Sequence, residues 1–136
     1  MKQYTYLEAL RDHRIEFKED GSINCSRLGL TSLVGAPRTV KMNFDCSHNR
    51  LTSLEGAPDI VGSFYCQDNM LTSLKGSPML VSGDFHCQLN HLESLEGGPE
   101  FVGGSFDCSH NELNSEEGCP AIILGWSDYT GNNFNS

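Results

Sequence analysis

Five cysteines, Cys25, Cys46, Cys66, Cys87 and Cys108, recur every 20 or 21 residues. A fixed period of that length restricts the chain to a solenoid, a stack of near-identical coils in which each coil contacts only its neighbours. One phrase surrounds the last four: FDCSHNRLTSLEGAPDIV from Phe44, FYCQDNMLTSLKGSPMLV from Phe64, FHCQLNHLESLEGGPEFV from Phe85 and FDCSHNELNSEEGCPAII from Phe106. The coils are numbered here one to five by their cysteines.

Each part of the phrase has a physical reading. FxC is a short strand whose phenylalanine and cysteine face inward, and stacked coils then form a parallel sheet with strands about 4.8 Å apart. Asn49, Asn69, Asn90 and Asn111 stand where the chain leaves the strand, placed to satisfy backbone groups of their own and neighbouring coils. An unsatisfied buried group there would cost about 1 to 3 kcal/mol. Leu28 takes that place in coil one, so the asparagine series starts at coil two. On the return leg, pairs such as Leu51 and Leu54 point inward. Gly-x-Pro at 56–58, 76–78, 97–99 and 118–120 then turns the chain too soon for an outer helix. Glu116 interrupts the leucine series of Leu54, Leu74 and Leu95.

The ends differ from the repeat. Leu7 and Leu10 lie at helical spacing, with Thr5 as N-cap and Glu8 as its capping-box partner, which predicts a short helix. RIEFKEDGSINCS predicts a β-hairpin with Ile15 and Phe17 inward and a turn at Asp20-Gly21. Tyr129, Asn132 and Phe134 fall 21 residues after Cys108, Asn111 and Leu113, so the tail is a degenerate sixth coil. Its aromatics Trp126, Tyr129 and Phe134 are expected to cover the last open core. The expected organisation is one domain over 1–136: helix and hairpin cap at 1–22, five repeats at 23–126, and a degenerate repeat and C-terminal cap at 127–136.

Val61, Phe64, Cys66, Asn69 and Leu71 occupy the slots of LxxLxLxxNxL, and the chain from about Ile23 to Phe134 resembles the leucine-rich-repeat family. The resemblance is to its short form of 20 to 21 residues found in bacterial and bacteriophage proteins. It implies an α/β-type solenoid, predominantly β, coiled right-handedly with a parallel concave sheet, and it implies a curved surface that binds other proteins. CSxNxLTSLxGxP particularly resembles small phage and bacterial repeat proteins with little besides the repeat. This implies a phage origin and a role in occupying and inhibiting a host protein. Longer bacterial relatives carry a ubiquitin-ligase domain with a catalytic cysteine, and no segment here corresponds to one, so that activity is not carried over.

Eighteen acidic and nine basic side chains give a formal charge of −9, which disfavours nucleic acid and anionic lipid and favours a protein partner with a basic surface. No secretion signal and no apolar run long enough for a membrane span is read, so a cytoplasmic location is expected. In a reducing cytosol, cysteines with no CxxC spacing read as buried structural thiols. No cofactor or metal is expected, and a monomer is expected.

Alternation turns the neighbours of each inward Phe and Cys outward. The centre row is Asn24, Asp45, Tyr65, His86 and Asp107, flanked by Ser26, Ser47, Gln67, Gln88 and Ser109, with Asn43, Ser63, Asp84 and Ser105 just before. The candidate partner-binding residues are Asp45, Tyr65, Gln67, Asp68, Asp84, His86, Gln88 and Asp107, with Tyr65 as anchor and the carboxylates meeting Lys or Arg. Met70 and Leu89 could extend the patch. An alternative function is mimicry of nucleic-acid charge, which would block a DNA- or RNA-binding enzyme. A thiol or acid–base enzyme is not expected. Alternation sends His86 and Cys87 to opposite faces, His48 and His110 lie too far apart to share a metal, and Asp45 and Asp107 too far apart to act as a catalytic pair.

Overall fold

Two short parallel strands per coil build the fold, where the sequence predicts one. The computed structural model describes residues 3–134, and within them the chain is a mostly β solenoid of about five turns. After helix α1 (Tyr6–Arg11) come β1 (Glu16–Phe17), β2 (Ile23–Asn24), β3 (Phe44–Asp45), β4 (Ile60–Val61), β5 (Phe64–Tyr65) and β6 (Leu80–Val81). The series ends with β7 (Phe85–His86), β8 (Phe101–Val102), β9 (Phe106–Asp107), β10 (Ile122–Ile123) and β11 (Ser127–Asp128). A seven-stranded sheet runs β1-β2-β3-β5-β7-β9-β11 and a four-stranded sheet runs β10-β8-β6-β4. All neighbours are parallel except the hairpin β1–β2.

The repeat explains this cross-section. Phe44, Phe64, Phe85 and Phe106, the five periodic cysteines, the leucine pairs of the return legs and Val81 and Val102 are fully buried between the two sheets and the return leg. The phenylalanines stack at centroid distances of 5.8, 5.6 and 5.5 Å. Backbone bonds tie coil to coil: the N–H of Cys46 donates to the Tyr65 carbonyl at 2.9 Å and that of Cys66 to the His86 carbonyl at 2.8 Å.

Each corner has its own device. After the strand, Arg27, His48, Asp68, Leu89 and His110 take left-handed backbone at φ between 54° and 59°, a conformation that costs a non-glycine residue about 1 to 2 kcal/mol. In coils two to five the asparagine that follows holds the turn. Asn69 Nδ2 donates to the carbonyls of Cys46 and Cys66, both at 3.1 Å, and its Oδ1 accepts from the Leu51 N–H at 3.0 Å. Asn49, Asn90 and Asn111 do the same. The series starts at Asn49, which reaches back to the Cys25 carbonyl, and continues to Asn132 in the tail. At the outer corner the serine of LTSL accepts from the N–H two residues on, as Ser53 does from Glu55 at 3.0 Å, and Gly56 supplies φ +93°. No outer helix follows.

Between the two strands of a coil runs a further ladder. Ser22 Oγ accepts from the Asn43 N–H, Asn43 Oδ1 from Ser63, Ser63 Oγ from Asp84, Asp84 Oδ1 from Ser105 and Ser105 Oγ from Trp126, at 2.8 to 3.3 Å. The coils approach closely here, and a Cβ placed on Gly104 would lie 2.1 Å from Asp84 Oδ1.

At the first coil, Thr5 and Glu8 form the expected capping box, but the helix buries Tyr6 and Ala9 and leaves Leu7 and Leu10 exposed. The inward face is shifted by one residue because Tyr6 extends the aromatic stack, 6.3 Å from Phe44. In the hairpin Ile15 is buried, whereas Phe17 is 57% exposed. β1 is the edge strand of the sheet, and among the described residues no further strand covers that ring. At the far end Tyr129 and Phe134 pack against the core with rings 5.4 Å apart, while Trp126, expected to join them, is exposed.

Candidate functional site

The outer face of the seven-stranded sheet holds the centre row in register, Asn24, Asp45, Tyr65, His86, Asp107 and then Asp128. All six are half-buried. The row divides into two chemistries. In coils one, two and five and in the tail, an Asn or Asp closes a turn onto the Ser or Thr two residues later. Asp45 Oδ1 accepts from the Ser47 N–H at 2.9 Å and its Oγ–H at 2.6 Å, and Asp107 Oδ1 accepts from Ser109 at 3.0 and 2.6 Å. Asn24 with Ser26 and Asp128 with Thr130 repeat the motif. One oxygen of each of these carboxylates thus belongs to the fold. The other, Oδ2, makes no hydrogen bond in Asp45, Asp107 or Asp128 among the described residues.

Coils three and four replace both members of that pair at once. Tyr65 and His86 stand in the centre row, their rings stacked at 5.0 Å and 14°. Gln67 and Gln88 stand in place of the serine, and the Oε1 of each is buried with no hydrogen-bond partner among the described residues. A buried acceptor left open costs about 1 to 3 kcal/mol, a cost that the Asp–Ser coils do not bear. A polar recess lined by Lys18, Asp20, Asn43, Asp45 and Tyr65 opens next to it, under the hairpin.

The other candidates are placed differently. Asp84 sits in the corner ladder, where its Oδ1 holds the Ser105 N–H, a role the sequence reading missed. The column Ser22, Asn43, Ser63, Asp84, Ser105 was its signal, since all five are short side chains with an oxygen acceptor. Asp68 lies at the left-handed corner with Oδ2 2.7 Å from His48 Nδ1, and Met70 and Leu89 are exposed beyond it. The structure therefore brings Asp45, Tyr65, Gln67, His86, Gln88 and Asp107 onto one face, and sets Asp68 and Asp84 at its two borders.

His86 is on the solvent side and Cys87 is wholly buried behind it. Burial, with lesser contributions from Asp107 and Asp128, pushes the Cys108 thiol up to about 12. Burial likewise raises Cys25, Cys46, Cys66 and Cys87 well above the ordinary thiol range. These sulfurs stay protonated at neutral pH and are held away from solvent. Cys119 alone is exposed among the six free cysteines. Among the described residues no three His, Cys, Asp or Glu side chains converge as a metal ion requires, and no helix is long and apolar enough to cross a membrane.

Comparison with protein-family models, with curated proteins and with solved structures finds no match for this chain.

Proposed function

We propose that the chain is a non-enzymatic interaction module of the short leucine-rich-repeat type that binds a protein through the outer face of its seven-stranded sheet. The observation that carries this reading is the paired replacement in coils three and four. An internal hydrogen-bonded turn is exchanged there for a stacked Tyr65–His86 pair and two unpartnered glutamine acceptors. Sequences depart from a local rule that favours folding where the surface has another task. Aromatic rings at the middle of a face with polar side chains around them are the composition of an interface centre. The outward oxygens of Asp45 and Asp107 on either side suit Lys or Arg of a partner.

The 20 to 21 residue period and the asparagine ladder support membership of the leucine-rich-repeat class. Tyr6 on the aromatic stack and Tyr129 with Phe134 on the last core support end caps at 1–22 and 127–136. Six free thiols suit a reducing cytoplasm. With a phage origin, the bound protein would belong to the host and the outcome would be inhibition. Charge mimicry of nucleic acid has weaker support, because Asp45 and Asp107 each commit one oxygen to their own turn and the two centre-row positions between them are Tyr65 and His86, not carboxylates.

Affinity capture from bacterial lysate tests the reading. A protein retained by the wild type and lost with Tyr65→Ala is expected. Retention that Tyr65→Ala leaves unchanged removes this face as the site, and displacement by duplex DNA at low salt favours mimicry instead.

A further inference from the structure

The four-stranded sheet carries on its outer side a column of apolar residues that the interior does not use. Ile60, Leu80, Phe101 and Ile122 stand rung on rung in register, while Val61, Val81 and Val102 beside them fill the core. Met79 shares a shallow apolar depression with Ile60 and Leu80, and Leu124, two residues after Ile122, lies on the same side. Ile60, Met79, Leu80, Ile122 and Leu124 are between 42% and 68% exposed. With the half-buried Phe101 they present on the order of 500 Å² of apolar surface, as much as the largest patch on a typical monomer.

We propose that this column is the interface of a two-fold dimer of the chain, in place of the monomer expected from the sequence. The column repeats at the strand spacing of about 4.8 Å, and a surface of the same pitch meets it rung for rung. A second copy carries that pitch by construction. With the axis between β6 and β8, Ile60 lies opposite Ile122 of the second copy and Leu80 opposite Phe101, so the same patch serves both subunits over four rungs. Charge points the same way. Counting Thr39, the rung before Ile60, the charged residues within two positions of the strip are Arg38, Lys41, Asp59 and Glu100, two of each sign, with Arg38 and Asp59 paired at 2.6 Å. This strip is neutral on a chain of net charge −9, so two copies approach along it without the repulsion that the rest of the surface imposes. The apolar area alone supplies more than half of the ~800 Å² that a standard interface takes from each partner.

Sedimentation velocity over roughly 1 to 200 μM tests the dimer. The wild type is expected at about 30 kDa, twice the 15.0 kDa chain. Leu80→Glu is expected to raise the dissociation constant at least about 100-fold, since it places two carboxylates in the seam. Met79→Glu, ahead of the strand and exposed, carries the same test without altering a rung. Tyr65→Ala leaves the dimer intact, which separates this face from the one proposed for the protein partner. A 15.0 kDa species at every concentration overturns the proposal. So does a dimer that neither glutamate weakens, or a monomer that instead floats with phosphatidylcholine vesicles.

Discussion

Coils two and three share one interior and carry different surfaces. Phe44 and Phe64, Cys46 and Cys66, and Leu51 and Leu71 are equally buried. Asn49 and Asn69 make the same bridging bonds, and the corner residues His48 and Asp68 sit at φ 55° and 56°. Outside, Asp45 locks onto Ser47, whereas Tyr65 and Gln67 form no such lock. The backbone of coil three thus turns without a side-chain closure of that kind. The Asp–Ser closure adds local stability of about 1 kcal/mol that coils three and four forgo, and what they hold in exchange is a half-buried, stacked aromatic pair.

The shared interior should respond most strongly. Thiols that stay protonated in the fold ionise near pH 9 once unfolded, so their contribution is complete below that pH and is lost as pH rises toward their folded values. Each such thiol removes about 1.4 kcal/mol per pH unit in that window. Urea unfolding between pH 8 and 11 is expected to show a steep fall, and a flat profile would place the sulfurs in water. Below pH 8, an alkylating probe should modify Cys119 while leaving the five periodic cysteines untouched.

Asn90→Ala comes next. It strands the carbonyls of Cys66 and Cys87 and the N–H of Leu71, for an expected loss of about 3 kcal/mol or more. Asn132→Ala, half-buried at the open end, should cost clearly less. Equal losses would show that the ladder does not depend on burial. On the surface, Asp45→Ala should cost about 1 kcal/mol by urea midpoint, against a change within about 0.5 kcal/mol for Gln67→Ser. A null effect at Asp45 would remove the energetic distinction between the two kinds of coil.

The interior was legible from the amino-acid order because every inward slot repeats one residue type, and periods of 20 and 21 leave Phe, Cys, Asn and Leu no other common face. The second sheet was not. Ile60–Val61 and its counterparts are two residues long, too short to show alternation, and the inward Val masks the outward Ile, Leu or Phe before it. Asp84 was read as a surface acid because its partner is a backbone N–H one coil away. The helix register slipped by one because Tyr6, a residue with a polar tip, completes the aromatic stack in preference to Leu7. On the outer face of the seven-stranded sheet the centre row stands in the register that the period of two predicts. Its division into locked and unlocked coils appears only when residues 45 and 47, or 65 and 67, are read as pairs.

Converting coils three and four to the chemistry of their neighbours, with Tyr65→Asp, Gln67→Ser, His86→Asp and Gln88→Ser together, measures stability and partner capture on one variant. Two new Asp–Ser closures offset the lost ring stack, so the urea midpoint is expected to stay within about 1 kcal/mol of the wild type, while capture disappears. Capture that survives the conversion, or a fold that loses several kcal/mol, would contradict the account, because those four side chains would then serve the solenoid and not a partner.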